Sequence, residues 1–222
     1  MLSADQPNLA TKFLTAEDVG KTLNVSRETV ARLKKFVDFL LKWQRSINLI
    51  GPGTVDNIWR RHVLDCGQLV RYLPDCPGTV LDIGSGAGLP GIILAILGVP
   101  NIRMIEADAK KCVFLREAAR ISETRVEIVE ARAEQAVCEP AEIVTARAVA
   151  PLSRLLELTE PYIKPNTICF FFKGRNYKHE LIDLNNNWKL QMETHQSLTE
   201  RDGIILKLTS VSRAHVSNLC PA

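Results

Sequence analysis

The sequence predicts an α/β fold: a doubly wound, mostly parallel sheet with helices on both faces, carrying an all-helical extension at its N-terminal side. Three observations predict it. From residue 79 onward, short β-rich runs alternate with helical stretches, the pattern of parallel strands joined by helical crossovers. Residues 15–75 show only helical spacing. A glycine-rich turn follows the first strand, where such sheets hold nucleotide-like ligands.

The elements follow in order. Residues 1–12 read as a loose arm, and Thr15 to Asp18 has the form of a capping box. From Ser26 the apolar positions Val30, Leu33, Val37, Leu40, Leu41 and Ile47 make a helical stripe, with Phe36 beside it. Gly51-Pro52-Gly53 breaks the chain, and a third helix is expected from about Val55 to Tyr72. Strands are expected at Thr79–Ile83, Ile102–Glu106, Val126–Val129, Ile143–Ala146 and Thr167–Phe172. Helices are expected at Pro90–Leu97, Lys110–Ile121 and Pro151–Tyr162, with a short one about Ala133. Two last strands, Lys189–Gln196 and Ile204–Thr209, close the sheet as an antiparallel pair. This divides the chain into residues 1–76, arm and helical extension, and residues 77–222, the sheet-bearing core.

Composition sets the bounds. At 222 residues, 46% apolar and 24% charged, the chain matches one large domain that buries about 70% of its unfolded surface and needs no disulfide or metal. Its longest aliphatic run, Ile92–Leu97, is six residues, against about 20 for a membrane span. The N-terminus lacks the basic-then-apolar form of a secretory signal. Six cysteines are at least ten residues apart and out of zinc spacing with His62, His179, His195 and His215, so they read as reduced core cysteines with no metal site.

The turn runs Asp82-Ile83-Gly84-Ser85-Gly86-Ala87-Gly88-Leu89-Pro90-Gly91. A dinucleotide fingerprint would need glycine at 89, which is Leu, and a P-loop would need Gly-Lys-Ser/Thr. The actual register, D-x-G-x-G-x-G, suits S-adenosyl-L-methionine. That ligand has no pyrophosphate, so the turn must admit its amino-acid and ribose portions to the backbone. Asp82 could meet the ammonium, and Glu106, at the end of the next strand, could accept the ribose hydroxyls. Arg60-Arg61-His62 in the third expected helix, Arg132, and Lys173-Gly174-Arg175 after an apolar strand are candidates for phosphate contact. Between residues 27 and 71, nine Lys/Arg stand against four Asp/Glu, which a solvated helix face would match equally well. Trp43 and Trp59 could stack on a base, but each lies near an apolar stripe, where packing explains it.

Several local signatures coincide. They are Lys42-Trp43-Gln44 with Asn48-Leu49, Trp59-Arg60-Arg61-His62-Val63-Leu64-Asp65, Asp82 through Gly91, Lys110-Lys111 with Phe114-Leu115, Arg132-Ala133-Glu134, Ala146-Arg147-Ala148 with Pro151-Leu152, and Lys173-Gly174. In these the chain, from about Leu33 to Leu208, resembles the glucose-inhibited division B family, the bacterial small-subunit ribosomal RNA guanine-N7 methyltransferases. It departs from the usual pattern at Gln44, Ile47, Ile50, Cys66, Glu106 and Ala146. The resemblance implies a class I, Rossmann-like, seven-stranded methyltransferase core. It also implies methyl transfer from S-adenosyl-L-methionine to N7 of a guanine near the decoding centre, in small-subunit ribosomal RNA or the 30S subunit.

Carried over by position, the cofactor site uses Gly84, Leu89, Ala133, Glu134 and Arg147; the reading of the turn adds Asp82, Gly86 and Glu106. Arg147 and Lys173 are expected to position the reactants. Arg61, His62, Arg132, Lys173 and Arg175 are expected at the RNA. Guanine N7 carries a lone pair and no proton, so no general base and no nucleophile are required. The chain has no Pro-Cys nucleophile and, after its fourth strand, no Asn/Asp-Pro-Pro-aromatic segment, features of sibling chemistries. The expected protein is cytoplasmic and monomeric, with no membrane and no metal. The alternatives are a class I methyltransferase acting on a small molecule or protein, and a non-catalytic ribosome assembly factor.

Overall fold

A computed structural model describes residues 9–182, 184 and 187–214; His215, Cys220 and most of the expected N-terminal arm lie outside them. Seven strands form one sheet in the order β3-β2-β1-β4-β5-β7-β6. They are β1 (Val80–Ile83), β2 (Ile102–Glu106), β3 (Val126–Glu130), β4 (Ile143–Arg147), β5 (Ile168–Lys173), β6 (Trp188–Gln196) and β7 (Ile204–Arg213). The first five are parallel; β7 runs antiparallel to β5, and β6 to β7. The strand order reverses between β1 and β4, which puts the switch point at the C-terminal end of β1, where the glycine turn begins.

Period-two alternation sends successive residues to opposite faces. Val80, Ile102, Met104, Ile143 and Phe170 enter one apolar cluster, and Leu81, Ile83, Ile105, Val144 and Phe171 enter the other. On the first face lie α1 (Ala16–Leu23), α2 (Arg27–Gln44), α4 (Gly91–Ile96) and α5 (Ala109–Ile121). The second is covered by α6 (Leu152–Thr159) and α7 (Tyr177–Ile182), the latter a helix that the sequence pattern missed. Thr15 caps α1 with a reciprocal bond to Asp18, as its motif requires. In α2 the residues Leu33, Phe36, Val37 and Leu40 are buried, so the helical extension shares one core with α4 and α5. Part of its basic excess is neutralised locally, since Lys34 pairs with Glu17 and Lys35 with Glu123. Trp43 and Trp59 pack against this core rather than presenting open faces.

Three local expectations need correction. The third helix is not one α-helix. It is a 3-10 turn (Pro52–Asn57), a widened π turn (Trp59–Leu64), one α-helical turn, α3 (Asp65–Gly67), and a second 3-10 turn (Gln68–Tyr72). Wide π turns re-aim side chains and concentrate at functional sites. The expected helix about Ala133 is a single turn, in which the N–H groups of Gln135 and Ala136 donate to the Arg132 carbonyl. Its span is too short to repay helix nucleation. Of the described cysteines, all free, Cys66, Cys112 and Cys169 are buried, but Cys76 is exposed and is no core residue. Among the described residues no helix is long and apolar enough to cross a membrane, and no cluster of three His, Cys, Asp or Glu is placed to hold a metal ion.

Candidate active site

The site is the C-terminal edge of the sheet, and the glycine turn is its centre. Two of its glycines have different reasons to be glycine. Gly88 has φ +74°, and a Cβ there would come within 2.5 Å of Ile92, so it lets the turn pack on α4. Gly86 has φ +53°, and a Cβ there would meet nothing closer than the Gly84 carbonyl at 3.8 Å. It leaves the backbone bare toward open space, where a ligand can approach.

Two carboxylates hold this turn. Glu106 is buried; one oxygen accepts from the Gly86 N–H at 2.8 Å and the other from the Asp108 N–H at 2.8 Å. Asp82 is fully buried; it accepts from the Gly91 N–H at 3.2 Å and the Thr145 hydroxyl at 3.1 Å. Asp82 therefore faces the start of α4 and the neighbouring strand rather than the open side of the turn. Burial pushes its carboxyl up to about 7, against the partial relief of these hydrogen bonds. Leu89 is buried beneath the turn.

Beyond β3, the Ala133 and Ala136 carbonyls both accept from the buried Tyr162 hydroxyl. Tyr162 thereby fixes the turn that carries Glu134. The Glu134 carboxylate is half exposed and pairs with Arg154 of α6. Arg132 is in the same turn and carries no ion pair among the described residues.

The other side of the switch point is built by side chains. Arg147, at the end of β4, donates from Nε to Asp65 at 2.9 Å, from one terminal nitrogen to the Arg61 carbonyl at 2.8 Å, and from the other toward His62 Nδ1 at 3.3 Å. Burial opposes its charge, but the nearby Cys66 and Asp65 groups and the Asp65 hydrogen bond outweigh it and raise its pKa. Asp65 also accepts from Gln68 at 3.0 Å, Ser197 at 3.3 Å and Thr199 at 2.6 Å. This one carboxylate thus ties the widened turn, the end of β4 and the β6–β7 loop together.

His62 is 5% exposed and sits between Arg147 and the Thr54 hydroxyl, 2.7 Å from its Nε2. Thr54 donates its own hydrogen to the Gly51 carbonyl, so His62 Nε2 must be the donor and Nδ1 the acceptor facing Arg147. Burial, with Arg147 and Arg61 beside it, holds His62 down at about 3. It is a neutral support for Arg147, with no charge for a phosphate and no ion pair with Asp65.

Lys173, at the end of β5, is almost buried. It donates to the Ala150 carbonyl at 2.8 Å and pairs with Glu180 at 2.7 Å, and Glu180 also accepts from the Leu152 N–H. Arg61 pairs with Glu200, and Arg60 donates to the carbonyls of Ala10 and Thr199. Arg175 is exposed and carries no ion pair among the described residues.

The fold thus gathers all the expected residues at one edge, yet Arg61, Arg147 and Lys173 are each already paired with a carboxylate. Sequence reading missed Asp65, Glu180, Thr199 and Glu200. Asp65 stood one turn beyond Arg61 in a quoted motif; nothing local marked the other three. Among the described residues the buried thiols are not activated, because burial pushes Cys112 up to about 11, Cys169 up to about 12, and Cys66 up as well.

Residues 29–208 match the family model described as rRNA small subunit methyltransferase G. The chain is 44% identical to the ribosomal RNA small subunit methyltransferase G of Paramagnetospirillum magneticum, over 85% of this chain and 92% of that one. It is also 44% identical to that of Rhodospirillum rubrum, over 90% and 100%. Among solved structures it is similar in fold to a putative O-methyltransferase from Klebsiella pneumoniae (TM-score 0.57, 14% identity, 88% of this chain and 96% of that one). It is likewise similar to the ribosomal protein L11 methylase of Lactobacillus delbrueckii subsp. bulgaricus (TM-score 0.56, 15% identity, 70% and 79%).

Proposed function

The chain belongs to the rRNA small subunit methyltransferase G family, and from that premise we propose that its sheet edge transfers a methyl group from S-adenosyl-L-methionine to N7 of one guanine in small-subunit ribosomal RNA. The observation that carries this reading is the bare backbone at Gly86, held by Glu106 at the switch point of a chain matching the family over residues 29–208.

The residues present fit the cofactor. Gly84 and Gly86 would admit its amino-acid portion to the backbone, and Glu106 has lone pairs left for ribose hydroxyls. Ala133 and Glu134 would meet the adenine, with Leu89 beneath the turn. Asp82, buried and bonded to the Gly91 N–H, acts by holding the turn in shape. When bound, the cofactor supplies an electrophilic methyl on a sulfonium.

The protein moves no proton, because N7 offers an in-plane lone pair and carries none. Its work is alignment and exclusion of water, and alignment of two reactants can be worth about 7–11 kcal/mol. Arg147 has five N–H donors and spends three on Asp65, His62 and the Arg61 carbonyl. The two left over can hold a ligand or guanine edge from a fixed position. Lys173 supports the same edge through Ala150, and Arg61, Arg132 and Arg175 face the RNA. The enzyme works as a monomer in the cytoplasm, where one accessible edge meets a large substrate.

The test is methyl transfer from radiolabelled S-adenosyl-L-methionine to small subunits and to bare ribosomal RNA from cells lacking this protein, followed by identification of the labelled nucleoside. Label in N7-methylguanosine of small-subunit RNA is the expected result. Label in another nucleoside, or in protein or metabolites only, overturns the reading.

A further inference from the structure

Beside Arg147, between the widened turn and the β6–β7 loop, lies an open cleft of about 350 Å³. Its charged lining is Arg60, Arg61, Arg175 and Arg201 against Glu200 and Asp202. The cleft opens at the end of β5 and the start of β7, on the same edge of the sheet as the glycine turn. We propose that this cleft seats a backbone phosphate of the RNA substrate, and that Glu200 occupies Arg61 until the phosphate replaces it. The inference rests on the RNA reading above and adds to it the contact and the exchange.

Four observations support this. Arginines outnumber carboxylates four to two. Arg60, in the lining of the cleft, has a buried Nε without an acceptor, although its terminal nitrogen is anchored on backbone carbonyls. Arg175 and Arg201 carry no ion pair among the described residues. The loop is held by side-chain hydrogen bonds where Glu200 leaves it. Thr199 is bonded to Asp65, and Gln196 Nε2 donates to the carbonyls of Glu200, Arg201 and Gly203.

Only the Glu200 side chain needs to swing for Arg61 to be freed. Exposed carboxylate–guanidinium pairs contribute little to stability, whereas phosphate accepts a forked, charge-assisted pair from the same guanidinium. Glu200 thus keeps the cleft from holding stray anions and yields to a polyanion.

The experiment measures binding of deproteinised small-subunit ribosomal RNA across a range of salt concentrations, for the wild type, Glu200→Gln, Arg61→Gln and the double variant. Glu200→Gln should bind about two- to fivefold more tightly at an unchanged log K against log salt slope, because both proteins neutralise the same phosphate, whereas Arg61→Gln loses that phosphate and its slope should be shallower by about 0.7–0.9. Arg61→Gln should bind more weakly, and adding Glu200→Gln to it should change nothing further. S-adenosyl-L-methionine affinity should be equal in all four, which also shows that each is folded. Unchanged RNA affinity in Glu200→Gln, an unchanged slope in Arg61→Gln, or additive effects in the double variant overturns the proposal. Tight binding of inorganic phosphate alone, with RNA affinity indifferent to both substitutions, assigns the cleft to a free anion instead. A wild type that neither binds nor methylates small-subunit RNA overturns the functional reading too; methylation by a wild type whose Glu200→Gln variant binds unchanged overturns this inference alone.

Discussion

On the β1–β2–β3 side of the switch point, the site is made of backbone and of two carboxylates that hold backbone. On the β4–β5–β7 side it is made of cations held by carboxylates, two of which, Asp65 and Glu200, come from far along the chain. Arg147 and Asp65 are 82 residues apart, and Thr199 reaches Asp65 across 134. The first side is local and shaped by what glycine permits. The second depends on several segments arriving together, so a single substitution there should spread further.

Asp65→Ala should break this contrast most severely. It leaves the Arg147 charge nearly buried without its partner and releases the β6–β7 loop at once. A loss of about 3–5 kcal/mol is expected, read from urea unfolding. A loss under 1 kcal/mol would mean that the β4–β5–β7 side is as local as the β1–β2–β3 side.

Arg147→Lys keeps the charge but removes the planar fork, so one ammonium must replace three divergent bonds. Methyl transfer at saturating cofactor should fall about 10²-fold, the scale of a misplaced reactant. Turnover within threefold of the wild type would take Arg147 out of the aligning role.

The two sides should also answer to pH with opposite signs. Asp82 rises from its ordinary range near 4 to about 7 on folding. Its folded state holds the proton more tightly, so stability falls as pH climbs from about 4 to about 7. His62 drops from about 6.5 to about 3. Its folded state excludes the proton, so its contribution is complete above about 6.5 and is lost as pH falls toward 3. Each contributes about 1.4 kcal/mol per pH unit within its window, and between pH 4 and 6.5 they cancel. Unfolding free energies measured from pH 4.5 to 6.5 should therefore be flat in this respect for the wild type. They should rise with pH in Asp82→Asn and fall in His62→Gln. Equal slopes in all three would sink both assignments.

The smallest effect on stability is expected at Gly86. Gly86→Ala meets no steric neighbour, so its positive φ should cost about 1–2 kcal/mol. The new methyl occupies the bare face, so S-adenosyl-L-methionine affinity should weaken by about tenfold or more, measured by calorimetry. Unchanged cofactor affinity would remove Gly86 from the ligand face.

Legibility followed the same division. The seven strands, their alternation and the antiparallel closing pair could be read from residue patterns, because period two and period 3.6 are properties of neighbouring residues. The glycine turn and Glu106 could be read for the same reason, since they lie one βα unit apart. Residues 55–72 do not form the single helix that their spacing predicts. Their apolar spacing is helical, but their turns widen at Trp59–Leu64, where Arg147 takes the Arg61 carbonyl and His62. The short α7 was missed because only Tyr177 and Leu181 join the core beneath it.

By itself, then, the sequence determined the α/β class, the strand order's raw material, the glycine turn and the identity of the basic residues at the sheet edge. Tertiary structure alone decided what those basic residues are doing. It turned Asp82 inward, made His62 a neutral prop, and paired Arg61, Arg147 and Lys173 with Glu200, Asp65 and Glu180. The physical reason is range. Backbone geometry and side-chain periodicity are set within a few residues, whereas whether a charge is free, paired or neutralised depends on which distant groups the fold brings within a few ångströms of it.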